Sequence, residues 1–218
     1  MDTKTVTING LRISYQEQGS GRPVVFVHGN SCSGKDFSKQ MQSDLAANYR
    51  LIVPDLPGHG ESDWARPVTE KDYWVSYLTD FLVEFCRRLD CEDAVLVGYS
   101  YGGNLVLETI PLLPALRGAV IFGAPPLGQP PRMEEAFLPD PVVEVFFAAN
   151  VTDDDITRRN RAIFSDGVPI PDHCDEDFKR TDPRVRGNLG PCVLSGGLLD
   201  EVEIVKKLQF PLAIVHGE

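Results

Sequence analysis

Two segments of alternating apolar and polar residues open the chain, Thr3 to Ile8 and Leu11 to Glu17, joined by the turn-forming dipeptide Asn9-Gly10. That combination predicts an antiparallel hairpin. The pattern then changes. Pro23-Val24-Val25-Phe26-Val27 is continuously apolar, as expected of a strand covered on both faces, and Tyr49 to Pro54 reads the same way. Ser33 to Leu45, between them, is predicted as a helix. From Asp72 to Leu89 the apolar residues Tyr73, Trp74, Tyr77, Leu78, Phe81, Leu82 and Phe85 fall on one helical face, and the aromatic stripe reads as core. Ala94 to Val97 and Ala119 to Gly123 are further buried strands. Strands alternating with helices predict an α/β fold with a mostly parallel sheet and helices on both faces.

From Ala124 the character shifts. Pro125, Pro126, Pro130, Pro131, Pro139 and Pro141 punctuate the chain, and helix-like pieces follow at Val142 to Ala149, Asp153 to Phe164 and Leu198 to Leu208. A buried strand pattern returns only at Phe210 to Val215. Residues 1–126 are therefore expected to form the first part of a sheet core, 127–207 an inserted helical lid over the sheet's C-terminal edge, and 208–218 a further core strand.

Composition narrows the class. A formal net charge of -11 argues against nucleic acid or an anionic membrane as partner, and no apolar run reaches membrane-spanning length. The five cysteines are an odd number without framework spacing, and Met1-Asp2-Thr3-Lys4 does not begin a signal peptide. A reducing cytoplasm is the expected location.

The chemistry concentrates in Gly98-Tyr99-Ser100-Tyr101-Gly102, set between the run Val95-Leu96-Val97 and the helical Leu105-Val106-Leu107. Strand, sharp turn and helix around Gly-x-Ser-x-Gly are the context of a nucleophile elbow, which exposes a serine hydroxyl at the strand's C-terminal end. Acyl transfer to Ser100 also needs oxyanion donors, and the expected ones are the backbone N–H groups of Tyr101 and of Asn30, the latter after His28-Gly29. The base is harder to place. Histidine occurs only at His28, His59, His173 and His216. His28 and His59 read as braces of their loops, His216 as a strand-end residue, and His173-Cys174-Asp175 as a weak metal cluster without partner ligands. No metal site and no cofactor are expected. The glycine-rich stretch Asp55 to Ser62 lacks the later glycine and lysine of a phosphate loop and reads as a shaped turn.

Taken together, His28-Gly29-Asn30-Ser31, Asp55-Leu56-Pro57-Gly58-His59-Gly60 and Gly98-Tyr99-Ser100-Tyr101-Gly102-Gly103 resemble the oxyanion loop, post-strand turn and elbow of the α/β-hydrolases. Within that family the chain is most similar to the N-acyl-homoserine-lactone lactonases, through His28 to Ser33, Val53 to Gly60, Gly123-Ala124-Pro125-Pro126 and Arg180 to Arg186. The resemblance implies Ser100 as nucleophile, Asn30 and Tyr101 as oxyanion donors, and a small ester or acyl lactone as substrate. It also implies that the family's acid falls about two positions beyond Glu218 and its histidine later still; Glu218 itself is out of register for the acid. On that expectation the last strand and helix of the fold are missing. The remainder then sits on a second polypeptide, or the chain is a truncated product with little activity and an exposed sheet edge.

Two rivals stay open: a carbon–carbon bond hydrolase on the same fold, and a non-catalytic ligand-binding fragment. A haloalkane-type hydrolase is disfavoured because it requires a carboxylate where Ser100 stands.

Overall fold

The computed structural model describes residues 3–136 and 140–216. Its hairpin pairs β1 (Thr3–Ile8) with β2 (Leu11–Gln18), and the turn between them has both Asn9 and Gly10 at positive φ, 49° and 80°. That is the turn whose twist matches antiparallel strands. The sheet continues through β3 (Arg22–Val27), β4 (Tyr49–Pro54), β5 (Val95–Tyr99), β6 (Gly118–Phe122) and β7 (Leu212–Val215), in the order β1-β2-β4-β3-β5-β6-β7. All pairs from β4 to β7 are parallel. β7 forms one edge among the described residues. The expected α/β architecture is therefore present, mostly parallel and with helices on both faces.

One face carries α2 (Val75–Arg88) and α3 (Tyr101–Thr109), whose apolar sides bury Leu78, Leu82, Phe85, Leu105 and Val106 against Val25, Ile52 and Leu96. The other face holds a smaller cluster of Val24, Phe26, Leu51 and Val53 under Phe37 and Met41. The aromatic stripe is core, with the Phe81 and Phe85 rings 5.7 Å apart and inclined at 39°. Its helix begins later than Asp72, because Tyr73 sits at φ 63° and the Asp72 carboxylate accepts from the Thr69 amide at 2.9 Å, closing a turn instead.

The helix expected over Ser33 to Leu45 is broken. A 3-10 turn at Gly34–Phe37, the single turn α1 (Ser38–Met41) and another 3-10 turn at Asp44–Ala47 replace it. The cause is local: the Ser33 and Ser43 hydroxyls accept from the amides of Lys35 and Leu45, so each serine starts a new turn rather than continuing the old one.

Between β6 and β7 run α4 (Met133–Ala136), a 3-10 stretch Pro141–Phe147, α5 (Asp153–Ile163), α6 (His173–Arg180), α7 (Pro183–Leu194) and α8 (Glu201–Lys206). The segment has its own small core of Val142, Val145, Ile156 and Phe178. Two of the polar junctions that fasten it to the sheet body are networks of several groups. In the first, Arg184 pairs with Asp72 and Asp182 at 2.5 Å each, and the Tyr73 hydroxyl donates to Asp182 at 2.8 Å. In the second, Glu201 accepts from Asn104 on α3 at 2.9 Å and from the Leu127 amide at 2.7 Å.

The second junction is sensitive to pH. Burial raises the Glu201 carboxyl to about 8, against its two hydrogen bonds, and burial raises the nearby Glu108 to about 7. Both carboxyls keep protons in the folded chain that the unfolded chain releases in the ordinary carboxyl range. Their contribution is therefore fully present below that range and is lost as pH rises toward 8. Glu201→Gln keeps the accepting oxygen and removes the charge. Urea unfolding at pH 5 and pH 9 is expected to show a smaller loss of stability for the variant, by on the order of 2 kcal/mol, and equal losses would count against the assignment.

Candidate active site

Ser100 sits between β5 and α3 with φ 52° and ψ -128°, a left-handed conformation that side chains rarely adopt and that costs about 1–3 kcal/mol. The neighbouring glycines make the turn possible. A Cβ on Gly98 would lie 2.4 Å from the Gly102 carbonyl oxygen, and one on Gly102 would lie 2.2 Å from that of Val27. Two backbone bonds hold the corner: Ser100 N–H donates to Phe122 at 2.8 Å and Gly103 N–H donates to Ser100 at 2.7 Å. The serine is thus placed by main chain, with α3 starting immediately behind it.

Strand register brings the second loop alongside. Val27 pairs with Gly98, so His28-Gly29-Asn30 emerges next to Tyr99-Ser100. A Cβ on Gly29 would be 3.2 Å from the Ser100 Cβ, which shows how closely the two loops meet. Asn30 is buried; its side-chain amide donates to the Phe146 carbonyl at 2.9 Å and its oxygen accepts from Ser31 at 2.9 Å. Ser31, at φ 59°, in turn accepts from Arg186 at 2.9 Å. The loop is therefore braced from the inserted segment, leaving the Asn30 main chain free of its side chain's bonds.

Ser100, Asn30, Tyr101 and Asn104 share one cavity of about 190 Å³, otherwise apolar, with Leu127, Met133, Phe147, Leu189 and Val193 supplied by the inserted segment. A second chamber of about 250 Å³ is also lined by Ser100 and shares Asn30, Gly123 and Phe146 with the first. Among the described residues, no histidine lines either one.

His28 is fully buried, and its Nε2 accepts from the Leu56 amide at 3.0 Å, so Nδ1 carries the proton and donates to the Gly29 carbonyl at 2.9 Å. With both nitrogens committed it braces the loop, as expected. His59 is held neutral well below the usual range, by burial first and by His28 next. His173 pairs with Asp36 at 3.1 Å, which raises its affinity for a proton. His216 follows β7. Among the described residues, no three His, Cys, Asp or Glu side chains gather as a metal group, and Cys174 and its four counterparts are buried free thiols. Glu218 lies outside the described residues. No described helix is long and apolar enough to cross a membrane.

Sequence reading did not single out Arg159, Arg184, Arg186 or Glu201. Arg184 and Arg186 fall in the quoted stretch Arg180 to Arg186, but nothing in a row of charges distinguishes a surface face from a buried clamp.

A model of the alpha/beta hydrolase family matches residues 24–207. Among curated proteins, the chain is 28% identical to the non-heme chloroperoxidase CPO-A1 of Kitasatospora aureofaciens, over 97% of this chain and 79% of that protein. Over a shorter stretch it is 33% identical to an epoxide hydrolase of Caballeronia sordidicola, covering 45% of this chain and 30% of the relative. Among solved structures, N-acyl homoserine lactonase AidH complexed with N-butanoyl homoserine superposes with a TM-score of 0.91 at 30% identity, covering 100% of this chain and 78% of that one.

Proposed function

Since this chain belongs to the alpha/beta hydrolase family, we propose that it is a serine hydrolase of carboxylic esters or lactones, working through an acyl-enzyme on Ser100. The observation that carries the reading is the strained backbone of Ser100 packed directly against Gly29, with Asn30 and Tyr101 lining the same cavity. A pure binding site has no use for a serine held at that cost.

In the proposed reaction the Ser100 Oγ attacks the carbonyl carbon and gives its proton to a base. The Asn30 and Tyr101 N–H groups receive the negative charge on the carbonyl oxygen, each contributing about a hundred- to a thousandfold in rate. The ester C–O bond breaks, the alcohol oxygen takes the proton, and water then releases the acid from Ser100. In a lactone the alcohol stays tethered to the acyl fragment. We assign the base and its carboxylate partner to none of the described residues. The apolar wall of Leu127, Met133, Phe147 and Leu189 suits an acyl chain, and the likeness to a lactonase bound to N-butanoyl homoserine supports an acyl lactone.

The test is covalent. A fluorophosphonate that traps serine hydrolases is expected to add one adduct mass to the peptide carrying Ser100, with parallel loss of N-butanoyl homoserine lactone opening. Label on another serine, or undiminished turnover in labelled protein, would sink the reading.

A further inference from the structure

The chamber of about 250 Å³ beside Ser100 is walled by Gly29, Asn30, Cys32, Tyr99, Phe146 and Arg159, and it adjoins a cavity of about 370 Å³ that shares Cys32, Tyr99 and Arg159. It differs in kind from the largely apolar cavity that also reaches the serine, because an arginine lines it. Arg159 is only 3% exposed. Its Nη1 donates to the Asn160 side chain at 2.7 Å, its Nη2 reaches the Cys32 sulfur at 3.5 Å, and its Nε has no partner. The guanidinium lies between two rings, 5.8 Å from Phe146 and 5.3 Å from Phe178.

No described carboxylate pairs with it. The acids nearby are engaged elsewhere: Asp175 accepts from Asn160 at 2.5 Å, Asp36 pairs with His173, and Asp177 accepts from Ser33 at 2.5 Å and pairs with Lys35 at 3.4 Å. A second buried guanidinium, Arg186, is held by Ser31 and the Ala148 carbonyl rather than by a carboxylate. Its affinity for a proton is pulled down to about 10, by burial and then by Arg159. Among the described residues neither guanidinium has a carboxylate hydrogen-bonded to it, so positive charge gathers beside the proposed nucleophile. Burying an unpaired cation is costly, and the cost is recovered when an anion arrives.

We infer that Arg159 receives a carboxylate of the substrate. On this inference, which rests on the serine hydrolase reading, the site takes esters whose acyl part fills the apolar cavity and whose alcohol part carries an anionic carboxylate into the Arg159 chamber. The bond that breaks is still the ester C–O bond; Arg159 selects and orients without exchanging a proton.

The test compares phenyl butanoate with 4-carboxyphenyl butanoate on the purified protein and on Arg159→Met, which keeps the side chain's bulk between the two rings. The readout is the ratio of kcat/KM for the anionic ester to that for the neutral one. This ratio is expected to fall on the order of tenfold to a hundredfold in Arg159→Met and by less in Arg159→Lys, in keeping with loss of a charge-assisted pair. A merely structural Arg159 would lower both rates together, and an unchanged ratio overturns the inference. Where Arg159→Met does not fold, Arg159→Gln takes its place. A titration calorimetry series with 4-hydroxybenzoate, the carboxylate-bearing alcohol product, reads the same subsite without turnover. Binding is expected to weaken about tenfold or more in the variant, and equal affinities, or no binding to the unaltered protein, overturn the inference. If neither ester is hydrolysed, the hydrolase reading falls while the titration still decides the subsite.

Discussion

Ser100→Ala is expected to lower kcat/KM for ester or lactone hydrolysis by about 10⁴-fold or more, with the fold intact. On the proposed mechanism, removing Oγ removes the bond-forming atom, whereas the corner itself is held by main-chain hydrogen bonds from Ser100 and Gly103 that alanine preserves. Ser100→Gly is the informative companion. It should be as inactive as Ser100→Ala, yet more stable than the alanine variant by about 1 kcal/mol, because φ 52° carries no penalty without a Cβ. Steady-state kinetics and urea unfolding of the pair separate chemistry from strain. Retained turnover in either variant would remove Ser100 from the reaction.

The second large effect is structural. Gly102→Ala puts a Cβ 2.2 Å from the Val27 carbonyl oxygen and 2.5 Å from that of His28, and both are backbone atoms that cannot rotate away. Relief requires α3 to lift from β3, which would also part Ser100 from the Asn30 loop. The expected loss is about 3 kcal/mol or more, a large part of the ordinary stability of a domain, seen as a fall of about 10 °C in Tm together with lost activity. Gly10→Ala is the control. It has φ 80° but no atom within 4 Å of the new Cβ, so it should cost only about 1–2 kcal/mol. Equal melting temperatures for the two variants would contradict the argument.

The parts of the molecule legible in the sequence are those whose signals are local. Asn9-Gly10 carries its own turn geometry, the apolar runs of β3 to β6 need no partner to be recognised, and Gly98-x-Ser100-x-Gly102 specifies the corner in which it stands. The inserted segment was less legible because distant residues organise it. In α6 only Cys174 and Phe178 are apolar positions that become buried, too few for a periodicity, and α7 contains Gly187, Gly190 and Pro191, which argue against a helix. It forms nonetheless, with Asp182 accepting from the Arg184 amide at 3.0 Å at its start and Arg184 reaching across to Asp72. The Arg159 chamber was invisible for the same reason. Its wall combines residues from the loop after β3, the turn after β5 and α5, and only the folded chain shows that no described acid pairs with the arginine.

The strain at Ser100 also bears on how such a chain changes over generations. Glycine is the residue that the corner's backbone favours, and for two of the six serine codons it is a single transition away. On the proposed reading, selection for hydrolysis removes that substitution despite the stability it brings, since gains in stability at reactive positions commonly come at the expense of activity. Once hydrolysis ceases to matter, the same stability gain favours the exchange. A lineage relieved of selection for turnover should therefore drift to glycine at this position early, while still folding well, so the serine serves as a marker of continued selection for chemistry.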